Sequence, residues 1–282
     1  MRHSEGFLDV SHTAARGSSR LYQQSWLPDT EPRAVVLLVH GLGEHSSRYA
    51  HVAEHLTQRG FAVFTLDHYG HGKSDGHAGF VERFSVYLDG VAALLEKARS
   101  EHPRQPLFLL GHSMGGLIAA AFLLDHQSAF RAAVLSGPAI KSDQAPPAIV
   151  IGLIRLLSTV VPTVPLIQLD ASGVSRDQAV VAAYMSDPLV HHGKLSARLL
   201  SEISAAMHDT MARAAVINLP IMIMHGEDDQ LTSPAGSVEL CEAVSSTDKQ
   251  LKTYPGLYHE IFNEPEQDAV LADMSDWLEA HL

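Results

Sequence analysis

Three residue types that together turn a hydroxyl into a nucleophile occur in this chain in a fixed order, each just beyond a strand-like run. The first is Ser113, inside Gly111-His112-Ser113-Met114-Gly115, a G-x-S-x-G pattern. Pro106-Leu-Phe-Leu-Leu110 precedes it and Gly116-Leu-Ile-Ala-Ala-Ala-Phe-Leu-Leu124 follows. That context reads as strand, sharp turn and helix. Such a turn strains the backbone of the serine, and the flanking glycines keep neighbouring side chains out of the way. It also sets the hydroxyl at a helix N-terminus, where developing negative charge is favoured.

A serine hydroxyl needs a base to take its proton, and the base needs a group that fixes its tautomer. On this strand-turn-helix plan the chain order is serine, acid, histidine. His259, in Pro255-Gly-Leu-Tyr-His-Glu260, follows the run Lys249–Tyr254 and is the expected base. The acid falls in Gly226-Glu-Asp-Asp-Gln230, after residues 221–225; Asp229 is preferred, with Asp228 as the alternative and Glu227 beside them. The chain has 18 histidines, and His3, His12, His126, His191 and His281 lack any comparable placement. A tetrahedral intermediate also needs backbone N–H donors. Met114 is one expected donor, and Leu42, in His40-Gly-Leu-Gly43, is the other. His40 itself reads as a brace for that loop.

These groups need a scaffold. The apolar runs at residues 34–39, 61–66, 106–110, 132–136 and 221–225, with a last run at 249–254, alternate with helical patterns. Near-continuous apolar strands between helices predict a mostly parallel sheet covered on both faces, an α/β fold whose ligands sit beyond the carboxyl ends of the strands. Residues 5–27 alternate loosely around Arg16-Gly-Ser-Ser19 and predict an N-terminal hairpin. No core strand is expected between Gly137 and about Leu219. The division that follows is a core of residues 1–137 and 219–282 with a helical cap over residues 138–218. Within it, Ala145-Pro-Pro-Ala-Ile-Val-Ile-Gly-Leu-Ile-Arg-Leu-Leu157 is apolar enough to bury one face and offer the other to a lipid chain.

Composition narrows the partners. The 282 residues carry a formal charge of −12 and no basic stripe, which argues against nucleic acid. The single cysteine, Cys241, allows no internal disulfide and reads as packing in a helix. Met1-Arg-His-Ser-Glu-Gly-Phe7 lacks the apolar core of a signal peptide, and no run of about 20 apolar residues predicts a membrane span. A cytoplasmic protein is expected, touching membranes or micelles only peripherally through the cap. Two motifs are set aside. His51-Val-Ala-Glu-His55 matches H-x-x-E-H but has no third ligand in view, and Gly70-His-Gly-Lys-Ser74 lacks the glycine of a phosphate loop, Asp67 standing in its place. Neither a metal nor another cofactor is implied.

Taken together, His40-Gly-Leu-Gly-Glu-His-Ser-Ser-Arg-Tyr49, Asp67-His-Tyr-Gly-His-Gly-Lys-Ser-Asp75, the Ser113 motif, Ser186-Asp-Pro-Leu-Val190 and Tyr258-His259 resemble the monoacylglycerol lipase branch of the α/β-hydrolases, which bacterial lysophospholipases also approach. The resemblance covers nearly the whole chain. It implies Ser113, Asp229 and His259 as the triad and Leu42 and Met114 as oxyanion donors. It also implies that Glu44 and Arg48 shape a polar head-group pocket, although an ion pair bracing the loop is an equal reading. Some members carry a second histidine three residues after the first, where this chain has Phe262. The expected activity is hydrolysis of a single-chain lipid ester through an acyl-enzyme, monoacylglycerol first, lysophospholipid second and short-chain esters third. The rival class is a non-catalytic binding protein on the same fold.

Overall fold

The structure, a computed structural model, describes residues 1–13, 17–142 and 148–282. Arg16 of the expected hairpin turn and the stretch Ala145-Pro-Pro147 lie outside the described residues. The first elements are β1 (Arg2–Ser11), β2 (Ser18–Leu27), β3 (Ala34–Val39), α1 (Ala50–Gln58), β4 (Phe61–Leu66), α2 (Ser85–Glu101), β5 (Leu107–His112), α3 (Met114–His126) and β6 (Ala132–Ser136). An insertion follows with α4 (Ala148–Val160), β7 (Pro165–Ile167), α5 (Gln178–Ser186), β8 (Leu195–Ser196) and α6 (Ala197–Arg213). The chain closes with β9 (Ile221–Gly226), α7 (Pro234–Ala243), β10 (Lys249–Tyr254) and α8 (Gln267–Ala280).

Eight strands form one sheet in the order β1-β2-β4-β3-β5-β6-β9-β10. The predicted hairpin is β1 and β2, antiparallel to each other, with β2 antiparallel to β4. Every other neighbouring pair is parallel. Strands β3 to β6 and β9 are buried along their whole length because both faces are covered, whereas the edge strands β1 and β10 are largely exposed and polar. In β3, Val35, Leu37 and Val39 join a core with α2 and α3, while Ala34, Val36 and Leu38 join a second core with α1 and α8. From β3 the chain turns one way to β4, then crosses back to β5 and runs on to β6, β9 and β10. That reversal opens a crevice beyond the carboxyl ends of β3 and β5, where a ligand site is expected.

Between β6 and β9 the described residues add no strand to the main sheet, as the sequence indicates. They do form a two-stranded antiparallel ribbon, β7 with β8, which apolar periodicity does not reveal because the strands hold three and two residues. Helix α6 packs on α3, and α4 packs on α6. The outer side of α4 leaves Ile149 83% and Val160 69% exposed, with Leu153 and Leu156 between them. Among the described residues no helix is long and apolar enough to cross a membrane.

Candidate active site

Ser113 sits between β5 and α3 with φ 55° and ψ −121°, the one non-glycine residue of positive φ among those described. L residues rarely hold that conformation, and surrounding structure has to impose it. Here the Ser113 N–H donates to the Ser136 carbonyl at 2.9 Å, and its own carbonyl accepts from the N–H groups of Leu117 at 3.1 Å and Ala139 at 2.9 Å. The flanking glycines are sterically required. A Cβ on Gly111 would stand 2.4 Å from the Gly115 carbonyl oxygen, and one on Gly115 would stand 2.1 Å from that of Val39.

His259 follows β10 on a short turn, and its Nδ1–H donates to Asp229 Oδ2 at 2.6 Å. Asp229 follows β9 and is buried, whereas Glu227 and Asp228 are exposed. Glu227 accepts from Thr253 Oγ1 at 2.7 Å, and the Asp228 N–H donates to the Leu257 carbonyl. Burial alone would raise the Asp229 pKa, but His259 and His225, together with the Thr232 N–H, hold it far below the usual carboxylate range. Burial pulls the His259 pKa down; the Asp229 carboxylate, backed by Glu260 and Glu44, outweighs it and leaves the imidazole above its usual value.

The loop after β3 carries Leu42, and α3 begins at Met114. Both line one cavity with Ser113 and His259. As the first residue of α3, Met114 has an N–H with no acceptor inside its own helix. The loop is braced from below. The Glu44 carboxylate accepts from the Gly41 N–H at 2.6 Å, from Tyr49 Oη at 2.6 Å and from Arg48 Nη1 at 2.6 Å. His40 is fully buried; its Nδ1–H donates to the Gly41 carbonyl at 2.8 Å while Nε2 accepts from the His68 N–H at 3.0 Å. That is the bracing role the sequence suggests for His40.

The cavity measures about 210 Å³. The insertion supplies Ile167, Leu169 and, on α6, Leu200, Ile203 and Met207 to its walls, and Leu231 and Thr232 after β9 complete them. Arg48 is not among its lining residues, but both of its carboxylate partners, Glu44 and Glu260, are.

The family model described as serine aminopeptidase, S33 (Hydrolase_4) matches residues 30–266. A monoacylglycerol lipase of Mycolicibacterium smegmatis is 42% identical over 95% of this chain and 96% of its own. The chain belongs to the α/β-hydrolases, in their monoacylglycerol lipase-like branch. The crystal structure of Paleococcus ferrophilus monoacylglycerol lipase superposes with a TM-score of 0.84 at 31% identity, covering 93% of this chain and 99% of that one. A soluble variant of Saccharomyces cerevisiae monoglyceride lipase, solved with a substrate analog, gives a TM-score of 0.81 at 27% identity, with 96% and 94% covered.

Several residues of this α/β-hydrolase escaped the sequence reading. His225 is the last but one residue of β9; its Nε2–H donates to Asp229 Oδ2 at 3.0 Å while Ser237 Oγ donates to Nδ1 at 2.7 Å. Thr232 Oγ1 lies 2.8 Å from the same carboxylate oxygen. Glu260 receives Arg48 in a two-pronged contact, at 2.6 and 2.8 Å. Its only sequence signal is adjacency to His259. Phe262, at the position where a second histidine stands in some relatives, is buried in the core against α8 and reaches no ligand space.

The motifs set aside have structural employment. His51 Nε2 bonds the Phe262 carbonyl at 2.9 Å and His55 Nε2 bonds Ser275 Oγ at 2.9 Å, fastening α1 to the C-terminal segment. Asp67 pins its own loop, accepting from the N–H groups of Ser46 at 2.8 Å and Lys73 at 2.9 Å. Cys241 lies half-buried on α7.

Proposed function

We propose that this protein hydrolyses monoacylglycerols to fatty acid and glycerol. The observation that carries the reading is Ser113, held at a strained elbow, sharing one largely apolar cavity with a His259 that is anchored to Asp229. The names of the relatives support the substrate class. His259 Nε2 takes the Ser113 proton as Oγ attacks the ester carbonyl. The N–H groups of Leu42 and Met114 receive the oxyanion. The imidazolium, steadied by Asp229, then returns the proton to the departing glycerol oxygen, leaving an acyl-Ser113. A water, deprotonated by the same His259, attacks that acyl carbon and releases the fatty acid with Ser113 restored.

In this reading residues 138–218 form the cap, and the acyl chain lies against Leu200, Ile203 and Met207, with Ile167 and Leu169 at the entrance. The exposed apolar side of α4 supports transient contact with the micelle or bilayer that holds such a substrate. The family description names an aminopeptidase, but an apolar channel beside Ser113 suits an acyl chain better than a charged peptide amine.

The test is fatty-acid release from medium- and long-chain monoacylglycerols, lysophosphatidylcholine, diacylglycerol and short p-nitrophenyl esters, beside aminoacyl p-nitroanilides, with Ser113→Ala as the blank. Preference for monoacylglycerols is the expected result. Ser113-dependent turnover confined to short activated esters or to anilides would replace the reading.

A further inference from the structure

Arg48 is a buried cation claimed by two carboxylates. Its Nη1 contacts Glu44 Oε2 at 2.6 Å and Glu260 Oε1 at 2.6 Å, while Nη2 contacts Glu260 Oε2 at 2.8 Å. The three side chains are only 11%, 4% and 6% exposed for Arg48, Glu44 and Glu260. The ring of Tyr184 closes the remaining face of the guanidinium, with Cζ 4.7 Å from its centre. Arg48 thus spends three N–H groups on carboxylates, one ring covers its face, and it is not among the residues that line the cavity.

The two carboxylates are not withdrawn. Both line the cavity that holds Ser113, and every described partner of each is a donor: Gly41 N–H, Tyr49 Oη and Arg48 for Glu44, and Arg48 and Asn263 Nδ2 for Glu260. A carboxylate surrounded by donors is an acceptor and nothing else. Two carboxylates against one guanidinium leave the cluster with one net negative charge. The other lining charges do not reverse the sign, since Lys141 is paired with Glu239 and Asp170 adds a further acid.

We propose that Glu260, through this over-neutralised arginine, is a specificity-determining residue that admits neutral polyol head groups and turns away phosphate. Hydroxyls can donate to a carboxylate that still has free lone pairs. A phosphate offers only acceptors and its own negative charge, and it meets like charge in a partly desolvated cavity. An arginine beside the nucleophile would ordinarily suggest anion binding; here the second carboxylate inverts that preference. The inference rests on the monoacylglycerol reading and narrows it.

The test compares 1-oleoylglycerol with 1-oleoyl lysophosphatidic acid, which differ only by the phosphate. The readout is the ratio of their kcat/KM values in the wild type and in Glu260→Gln. The amide keeps the shape of the side chain and deletes one charge. Any general damage to folding or to the neighbouring His259 acts on both substrates and cancels in the ratio. The expected result is a shift of roughly ten- to a hundredfold toward the phosphorylated substrate. A ratio that stays within twofold would overturn the proposal while leaving monoacylglycerol hydrolysis standing. Failure of the wild type to cleave 1-oleoylglycerol would overturn both.

A second measurement needs no variant. Glycerol and glycerol 3-phosphate are tested as competitors against a p-nitrophenyl ester in the wild type. Inhibition by glycerol in excess of that by its phosphate is expected, and the reverse order would overturn the proposal.

Discussion

The carboxylate of Asp187 lies 2.9 Å from Nε2 of His45, joining a residue of the insertion to the loop that carries Leu42, 142 positions earlier in the chain. The contact has company. The His191 N–H donates to the Gly43 carbonyl at 2.7 Å, so the turn built from Ser186-Asp-Pro-Leu-Val190 grips the loop at two points. The loop is the one from which Leu42 would present its N–H to an oxyanion, and an error of an ångström there is costly.

Cutting that tie should therefore register in turnover more than in binding. Asp187→Ala is expected to lower kcat about tenfold with little change in KM. Asp187→Asn, whose Oδ1 still accepts from the Leu189 N–H and whose Nδ2–H can donate to His45 Nε2 in the imidazole's other tautomer, should recover most of it. Equal kcat in wild type and Asp187→Ala would show that the loop holds its position without the insertion.

The pH dependence follows from the sign of the His259 shift. In its proposed role as base His259 works only when neutral, and its pKa is raised by Asp229. The acid limb of kcat/KM should therefore lie above the ordinary imidazole value, with activity lost as pH falls through it. Asp229→Asn removes the carboxylate responsible. That limb should move to lower pH while kcat drops by about a thousand- to ten-thousandfold. The matching change at exposed Asp228 should leave both within about twofold. A profile that follows Asp228 instead would transfer the orienting role to it.

Acid stability should trace to buried neutral imidazoles. Burial and the nearby His71 push the His68 pKa down from 6.5 to about 3, and burial with His259 does the same for His112. The unfolded chain takes up protons below about pH 6.5 that the native state refuses. This stability is complete above that pH and drains away between about 6.5 and 3, at about 1.4 kcal/mol per pH unit for each group. Denaturant midpoints should fall as the buffer is taken from neutral to mildly acidic pH. His68→Gln should flatten the slope, and an unaltered slope would refute the assignment.

The sequence discloses most of what is local. G-x-S-x-G between an apolar run and a helix announces the elbow, because the steric demand that makes Gly115 necessary is written into the residue itself. Strands β3 to β6 and β9 are legible because burial on both faces leaves them largely apolar, and the exposed edge strand β10 only because turns bound it. What escapes is pairwise and distant. Nothing in the strand residue His225 signals that its ring will reach the carboxylate four residues on, since a buried histidine on a strand reads as core. Glu260 becomes meaningful only when the fold returns it to Arg48, 212 positions away. The choice among Glu227, Asp228 and Asp229 likewise turns on which side chain the bend after β9 aims inward, a matter of backbone direction that three adjacent acids do not encode.

The backbone of Ser113 has a further meaning for anyone wishing to make this protein sturdier. Glycine would occupy φ 55° without strain, so the proposed nucleophile also holds the fold below its attainable stability. Selection for heat resistance alone would push first against this position, and survivors with the highest melting temperatures would be the ones most prone to silence. A screen for hardiness must therefore count product as well as folded protein.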